Sequence, residues 1–230
     1  MKILLSLFIA CLGVLPAYSQ GIEATYDVGF SIFKDRTQEE HLTMTWKVFH
    51  KGNKVASYFI PDYLQKYPDG NVKKQIAGDG NSWATTRLPS AEKLHYDVAD
   101  FDSFFSWKII SANSTDEDNP CSGQVHRISI KSEWAKYWEF VDETRNINGL
   151  ECQRVKNRLA NGDIRIDAWV ATDIPVAGLT FGMYHLPFLL VEATHHSTGR
   201  TFKLKSLNTQ AEIDDSVFWP ECFQQRFRSQ

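Results

Sequence analysis

Apolar and polar positions alternate through most of this chain. From Ile22 to Ile32 the even positions read Ile, Ala, Tyr, Val, Phe and Ile, with Glu23, Thr25 and Asp27 between them. A period of two puts every second side chain on one face, so a long strand with one buried side is predicted here. Leu42, Met44, Trp46 and Val48 repeat the pattern against Thr43, Thr45 and Lys47. Lys51-Gly52-Asn53-Lys54 then turns the chain into a strand over Val55–Ile60, which completes a hairpin. Gly-rich turns at 69–71 and 78–81 bracket short strands near Val72–Ala77 and Trp83–Thr86.

Residues 89–110 break the rhythm. Leu94, Val98, Phe101, Phe104 and Phe105 fall near a three-to-four spacing, which predicts a helix or a helical lid. Ser111–Ser122 is polar, and alternation resumes at Val125; Trp134, Trp138 and Phe140 then share a face of one strand. Asn148-Gly149 and Asn161-Gly162 are the strongest hairpin signals, because Asn-Gly tolerates the positive φ angles of a type I′ turn. Strands over Glu151–Leu159 and Ile164–Val170 flank the second of them. Phe188–Val191 is continuously apolar, as in a strand covered on both sides, and Thr198-Gly199 turns into Thr201–Leu207. The sum is a mainly β chain of about ten strands, one antiparallel meander forming a strongly curved sheet or half-open barrel with a helical insertion. A β-sandwich is the alternative.

The first residues do not belong to that meander. Lys2 precedes an apolar run from Ile3 to Leu15, and Ala17-Tyr18-Ser19 sets small residues three and one positions before a cut. Residues 1–19 are therefore predicted to be a secretory signal peptide and 20–230 a single β-rich domain. A membrane span needs about 20 apolar residues, which no segment supplies. Phe8-Ile9-Ala10-Cys11 departs from a lipidation signal at Phe8 and in the apolar run that continues past the cysteine.

Composition adds exclusions more than assignments. With 25 Lys+Arg against 28 Asp+Glu the net charge is −3, which gives no basic face for nucleic acid. Fifteen Phe, 8 Tyr and 7 Trp supply a large core. Export would remove Cys11 and leave Cys121, Cys152 and Cys222 in an oxidising compartment, where Cys152 is expected to pair with Cys121 or Cys222. The cysteine spacing fits no zinc pattern.

Candidate chemistry is thin. On a strand, His195 and His196 point to opposite faces, so one ion cannot take both. The acidic run at 116–118 lacks the alternation and glycine of a calcium loop. No Gly-x-Ser-x-Gly, Gly-x-Gly-x-x-Gly or phosphate loop occurs, so no catalytic residue, metal or cofactor is assigned. Trp134, Trp138, Trp169 and Trp219 read as core filling, whereas Phe101, Phe104 and Phe105 form the candidate surface for an apolar ligand.

One stretch carries a resemblance. Asp142-Glu143-Thr144-Arg145-Asn146-Ile147-Asn148-Gly149-Leu150-Glu151-Cys152 is followed by Gly162, Ile166, Ala168-Trp169, Asp173-Ile174-Pro175, Gly178, Phe181-Gly182 and Leu186-Pro187. This order resembles the GLPGLI family of exported proteins from Gram-negative bacteria. His185-Leu186-Pro187-Phe188-Leu189-Leu190 stands where the family has its naming motif, with His185 and Phe188 replacing both glycines. Glycine there permits positive φ or close backbone approach, so the loop is expected to take another path or to have needed glycine for packing alone. The resemblance implies export and a β-rich fold but no reaction. The curved sheet also looks like that of periplasmic lipoprotein carriers, and Asp214–Pro220 is similar to the closing segment of some such domains. The expected function is a non-enzymatic periplasmic binding or carrier protein for a lipid or other apolar ligand. The alternatives are an assembly module binding an envelope protein, and an envelope hydrolase. The periplasm is the expected compartment, with the exterior or the outer membrane as alternatives.

Overall fold

The computed structural model describes residues 21–33, 39–75, 83–88, 95–110, 124–180 and 182–218. Alternating segments form the strands β1 (Gly21–Phe33), β2 (Glu39–Lys51), β3 (Lys54–Ile60), β4 (Asn71–Gln75) and β5 (Trp83–Arg87), followed by β6 (His95–Asp100) and β7 (Phe105–Ile110). The second half adds β8 (Gln124–Ser129), β9 (Trp138–Ile147), β10 (Leu150–Arg158), β11 (Ile164–Pro175), β12 (Phe188–His195) and β13 (Arg200–Ala211). Eleven strands form one antiparallel sheet in the order β8-β7-β6-β3-β2-β1-β13-β12-β11-β10-β9, and β4–β5 is a separate hairpin. No helix among the described residues is long and apolar enough to cross a membrane.

The connectivity forces this sheet to curl. Its two edges, β8 and β9, are consecutive in the chain, joined by residues 130–137, of which Ser132–Tyr137 form a 3-10 turn. Laid flat, eleven strands at about 4.8 Å spacing would hold those edges about 48 Å apart. A link with six residues rising about 2 Å each and a few extended steps reaches only about 22 Å. The edges do not pair, so the result is a strongly curved, half-open sheet and not a closed barrel or a two-sheet sandwich.

Register aligns the apolar positions on the concave side. Tyr26 faces Trp46, Trp46 faces Phe59, Val28 faces Phe202, Phe202 faces Ala193, Ala193 faces Ala168, and Ala168 faces Val155. Trp46 stacks on Phe59 at 5.6 Å and meets Phe202 edge-on at 5.5 Å. Tyr26 Oη donates across the interior to the carbonyl of Leu190 at 2.9 Å, so even this buried phenol is satisfied. Each large side chain buried here contributes about 1.5–3 kcal/mol. A smaller core lies on the convex side, where Ile213 and Phe218 pack with Ala56, Val98 and Trp107. Asp214 fixes that segment by accepting from the Ser216 backbone N–H at 2.7 Å.

Three expectations are corrected. The helical insertion is absent among the described residues: His95–Asp100 and Phe105–Ile110 are two strands joined by the turn Phe101–Phe104. Spacings of three and four also arise when one strand ends, turns tightly and another begins, and this is the case here. Trp134 lies in the 3-10 turn before β9 and does not share that strand with Trp138 and Phe140. Asn148 and Gly149 both hold positive φ (53° and 85°), as a type I′ turn requires. At the other Asn-Gly only Gly162 does (φ 89°), with Gly162 N–H donating to the Leu159 carbonyl at 2.9 Å, a three-residue hairpin loop. Phe188–Val191 behaves as predicted: Leu189, Leu190 and Val191 are all fully buried.

Candidate functional site

The concave side is filled by the chain itself. The connection from β11 to β12, residues 176–187, runs inside the curve of the sheet, and Leu179, Met183 and Leu186 on it are each 0% exposed. Gly178 makes the entry (φ 145°), because a Cβ there would lie 2.4 Å from Cζ of Phe101. Thr180 Oγ1 and Ser57 Oγ share a hydrogen bond at 2.5 Å, tying the connection to β3. Tyr184 reaches toward both open edges: its hydroxyl donates to Ser106 Oγ on β7 (3.3 Å), and its carbonyl accepts from Trp138 Nε1 on β9 (3.0 Å). Apolar side chains of this connection thus occupy space inside the curve of the sheet.

The motif loop sits at the end of the same connection. His185 holds φ 60°, the left-handed backbone that glycine favours. For a residue with a Cβ that conformation costs about 1–2 kcal/mol. Two contacts offset it: Nε2 of His185 donates to the Lys131 carbonyl (3.0 Å), and the ring meets Phe101 edge-on at 5.6 Å. Leu186 is buried, the Pro187 carbonyl accepts from Val176 N–H (3.0 Å), and Phe188 opens β12 edge-on to Phe140 at 6.0 Å.

Phe101, Phe104 and Phe105 do not gather around one space. Phe101 is buried under Gly178, whereas Phe104 is 46% exposed at positive φ (57°). Phe105 packs with Trp107 (6.2 Å) in the convex core, under the guanidinium of Arg127 at 3.4 Å. Cys152 is buried, and burial pushes its thiol pKa up, which makes it a poor nucleophile. Cys121 and Cys222, the acidic run at 116–118, and the segment 1–19 lie outside the described residues. His195 is buried at the end of β12 and His196 is exposed on the turn; burial and then Arg165 lower the pKa of His195. Among the described residues no three His, Cys, Asp or Glu side chains come together as a metal site.

Sequence reading misses a buried polar cluster. Asp97 on β6 is 6% exposed, flanked across the sheet by Ser57 on β3 and Lys108 on β7. Burial pushes its carboxyl up to about 6, with Lys108 opposing. The Tyr184 phenol is raised by burial, lowered by its bond to Ser106, and raised by the charge of Asp97. A carboxyl titrating near neutrality beside a phenol has the makings of acid–base chemistry. Yet Ser57 and Thr180 are 0% exposed and Ser106 is 1% exposed, so the cluster is shut and fastens the connection to the sheet. These groups come from β3, the β6–β7 hairpin and the β11–β12 connection, and the sequence of the hairpin alone does not announce the others.

Among the described residues, two clefts that open to the surface bring charged side chains together. One, about 250 Å³, lies on the convex face among Arg154, Asp167, Trp169, Glu192 and Lys203. Arg154 there is paired: it grips Asp167 through two nitrogens (2.9 and 2.6 Å) and Glu143 through a third (2.8 Å). Hydrogen bonding from Arg154 holds the Asp167 carboxyl below its ordinary range. Arg145 lies 4.1 Å over the Trp169 ring and pairs with Glu192. The other cleft, about 340 Å³, sits at the β10–β11 hairpin and takes in Arg158, Arg165, Asn157 and Tyr184.

No family model matches the chain, and no curated protein matches it. Among solved structures it is similar to PNGF-II in two crystal forms, with TM-scores of 0.50 and 0.49 at 12% and 13% identity; each match covers 87% of this chain and 30% of that one. It is also similar to an uncharacterized conserved protein from Thermus thermophilus, with a TM-score of 0.40 at 7% identity, covering 87% and 85% of the two chains. The first of these likenesses concerns the fold alone.

Proposed function

We propose that this chain is an exported, non-enzymatic interaction module of the cell envelope that docks an extended segment of a partner protein along its open sheet edges. The observation that carries this reading is the unclosed sheet with apolar side chains left out on both rims. Ile128 on β8 is 39% exposed and Phe140 on β9 is 44% exposed. Both face the concave side, since Ile128 pairs with Ser106 and Phe140 with the buried Val155. An unpaired strand edge presents free N–H and C=O groups, and an incoming strand satisfies them while alternate side chains fill apolar pockets. The β11–β12 connection supports this reading over the apolar carrier, because its apolar side chains pack inside the curve while Ile128 and Phe140 stay exposed on the rims. Export, with the periplasm as destination, rests on the pattern of residues 1–19 and on the GLPGLI resemblance.

The test is a photoreactive residue placed at Ile128 or Phe140 in the full chain, irradiated in intact cells. A discrete protein adduct at these sites, absent when the probe sits at exposed Lys205 on β13, supports the proposal. No adduct, or the same ladder at all three sites, overturns it.

A further inference from the structure

We propose that the cleft at the β10–β11 hairpin binds a small amphipathic oxyanion, a carboxylate or phosphate group on an aromatic or apolar body. The site does not depend on edge docking. Its volume of about 340 Å³ suits a single-ring ligand, and no carboxylate lines it among the described residues. The two cations in it differ. Arg158 is engaged, with Nε donating to Glu139 Oε2 (2.6 Å) and Nη1 to the Gly162 carbonyl (3.0 Å). Arg165 has no acidic partner among the described residues, and its guanidinium lies where a Cβ on Gly182 would come within 2.5 Å of Nη2. The missing side chain at Gly182 therefore makes room for that guanidinium inside the cleft.

A second group points to the same ligand. Asn157 lines the cleft while only 7% exposed, and its side-chain amide makes no hydrogen bond among the described residues. The amide is not sealed from solvent, so it can donate to a ligand oxygen that enters the cleft. A guanidinium fork together with an amide suits a planar or tetrahedral oxyanion and disfavours a metal cation. Tyr184, whose hydroxyl is committed to Ser106, offers only its ring as a wall, and Leu159 supplies an apolar one. The headgroup faces Arg165 and Asn157, and the body lies against Tyr184 and Leu159.

Calorimetric titration of the full chain with phenyl phosphate and with phenylacetate tests this, with inorganic phosphate and phenol as headgroup-only and body-only probes. Saturable binding of one amphiphile, at least about tenfold tighter than either fragment, is expected. Arg165→Gln should weaken it about tenfold or more, and Arg165→Lys, which keeps the charge but loses the fork, should also weaken it. Which amphiphile binds tighter separates a phosphate from a carboxylate ligand. Should Arg165→Gln fail to fold, Arg165→Lys decides alone. No saturable binding of either amphiphile, or binding unmoved by a folded Arg165 variant, overturns the proposal.

Discussion

Asp97→Asn should stabilise this protein at neutral pH and leave its stability nearly unchanged in acid. Asp97 is 6% exposed between Ser57 and Lys108, and burial lifts its carboxyl from the ordinary 3.8 to about 6 in the folded state. A folded pKa above the unfolded one means that the native state holds the proton more tightly. That contribution is complete below about pH 3.8 and is lost as pH rises through about 6. At 1.36 kcal/mol for each tenfold change, the loss by neutral pH is about 3 kcal/mol. Attraction to Lys108 already opposes the rise, so it is included in that figure. Asparagine has the size of the protonated acid and cannot ionise, so the variant keeps what the wild type loses. Urea unfolding of both proteins at several pH values reads the gap, provided the m-values agree. The gap should be near zero at about pH 4 and grow to a few kcal/mol near pH 7.5. A gap independent of pH, or a variant less stable than wild type near pH 7.5, would refute the burial argument.

Other expectations concern stability at single sites. His50 is buried, and burial lowers its pKa from 6.5 to about 4, so it folds neutral; its contribution is present above 6.5 and lost as pH falls toward about 4. His50→Asn should flatten the acid limb of the stability profile over that window, and an unchanged slope would contradict the assignment. His185→Gly relieves a left-handed backbone at φ 60° but gives up the bond to Lys131, so its net effect should stay within about 1 kcal/mol. His185→Val, β-branched at the same φ, should cost more than His185→Gly by thermal melting, and equal melting points would show that the position is not strained. Leu186→Ala, at 0% exposure in the filled interior, should cost about 2–5 kcal/mol, against about 0.5 kcal/mol or less for Phe104→Ala on the exposed turn. The reverse order in chemical denaturation would mean that the interior is open and the turn packed.

Much of the sheet is legible in the sequence because its physics is local. A half-buried strand alternates, so β1, β2 and β11 can be read off Ile22–Ile32, Leu42–Val48 and Ile164–Val170. Asn148-Gly149 announces its turn because few residue pairs tolerate two positive φ angles. The β6–β7 hairpin mimics a helix because its turn carries no glycine: Phe104 takes φ 57° itself, and Phe101 turns inward under Gly178. The Asp97 cluster and the Arg165–Asn157 cleft are illegible for a different reason. Each needs the β11–β12 connection, which brings Thr180 and Tyr184 to the Asp97 cluster and Gly182 and Tyr184 to the β10–β11 hairpin, so the hairpin sequences alone do not complete either. The inward course of this connection is misleading in the sequence, since Leu179, Met183 and Leu186 are spaced four and three apart as on a helix, yet its described residues form none.

The central claim is that the concave interior belongs to the chain itself and that partners attach at the open rims. Native mass spectrometry of the full chain released gently from cells reads both halves together. The expected result is the polypeptide with a discrete protein partner, and loss of that partner when Ile128 and Phe140 are replaced by Lys. A stoichiometric lipid retained by Arg165→Gln would place an apolar ligand in the interior and contradict it.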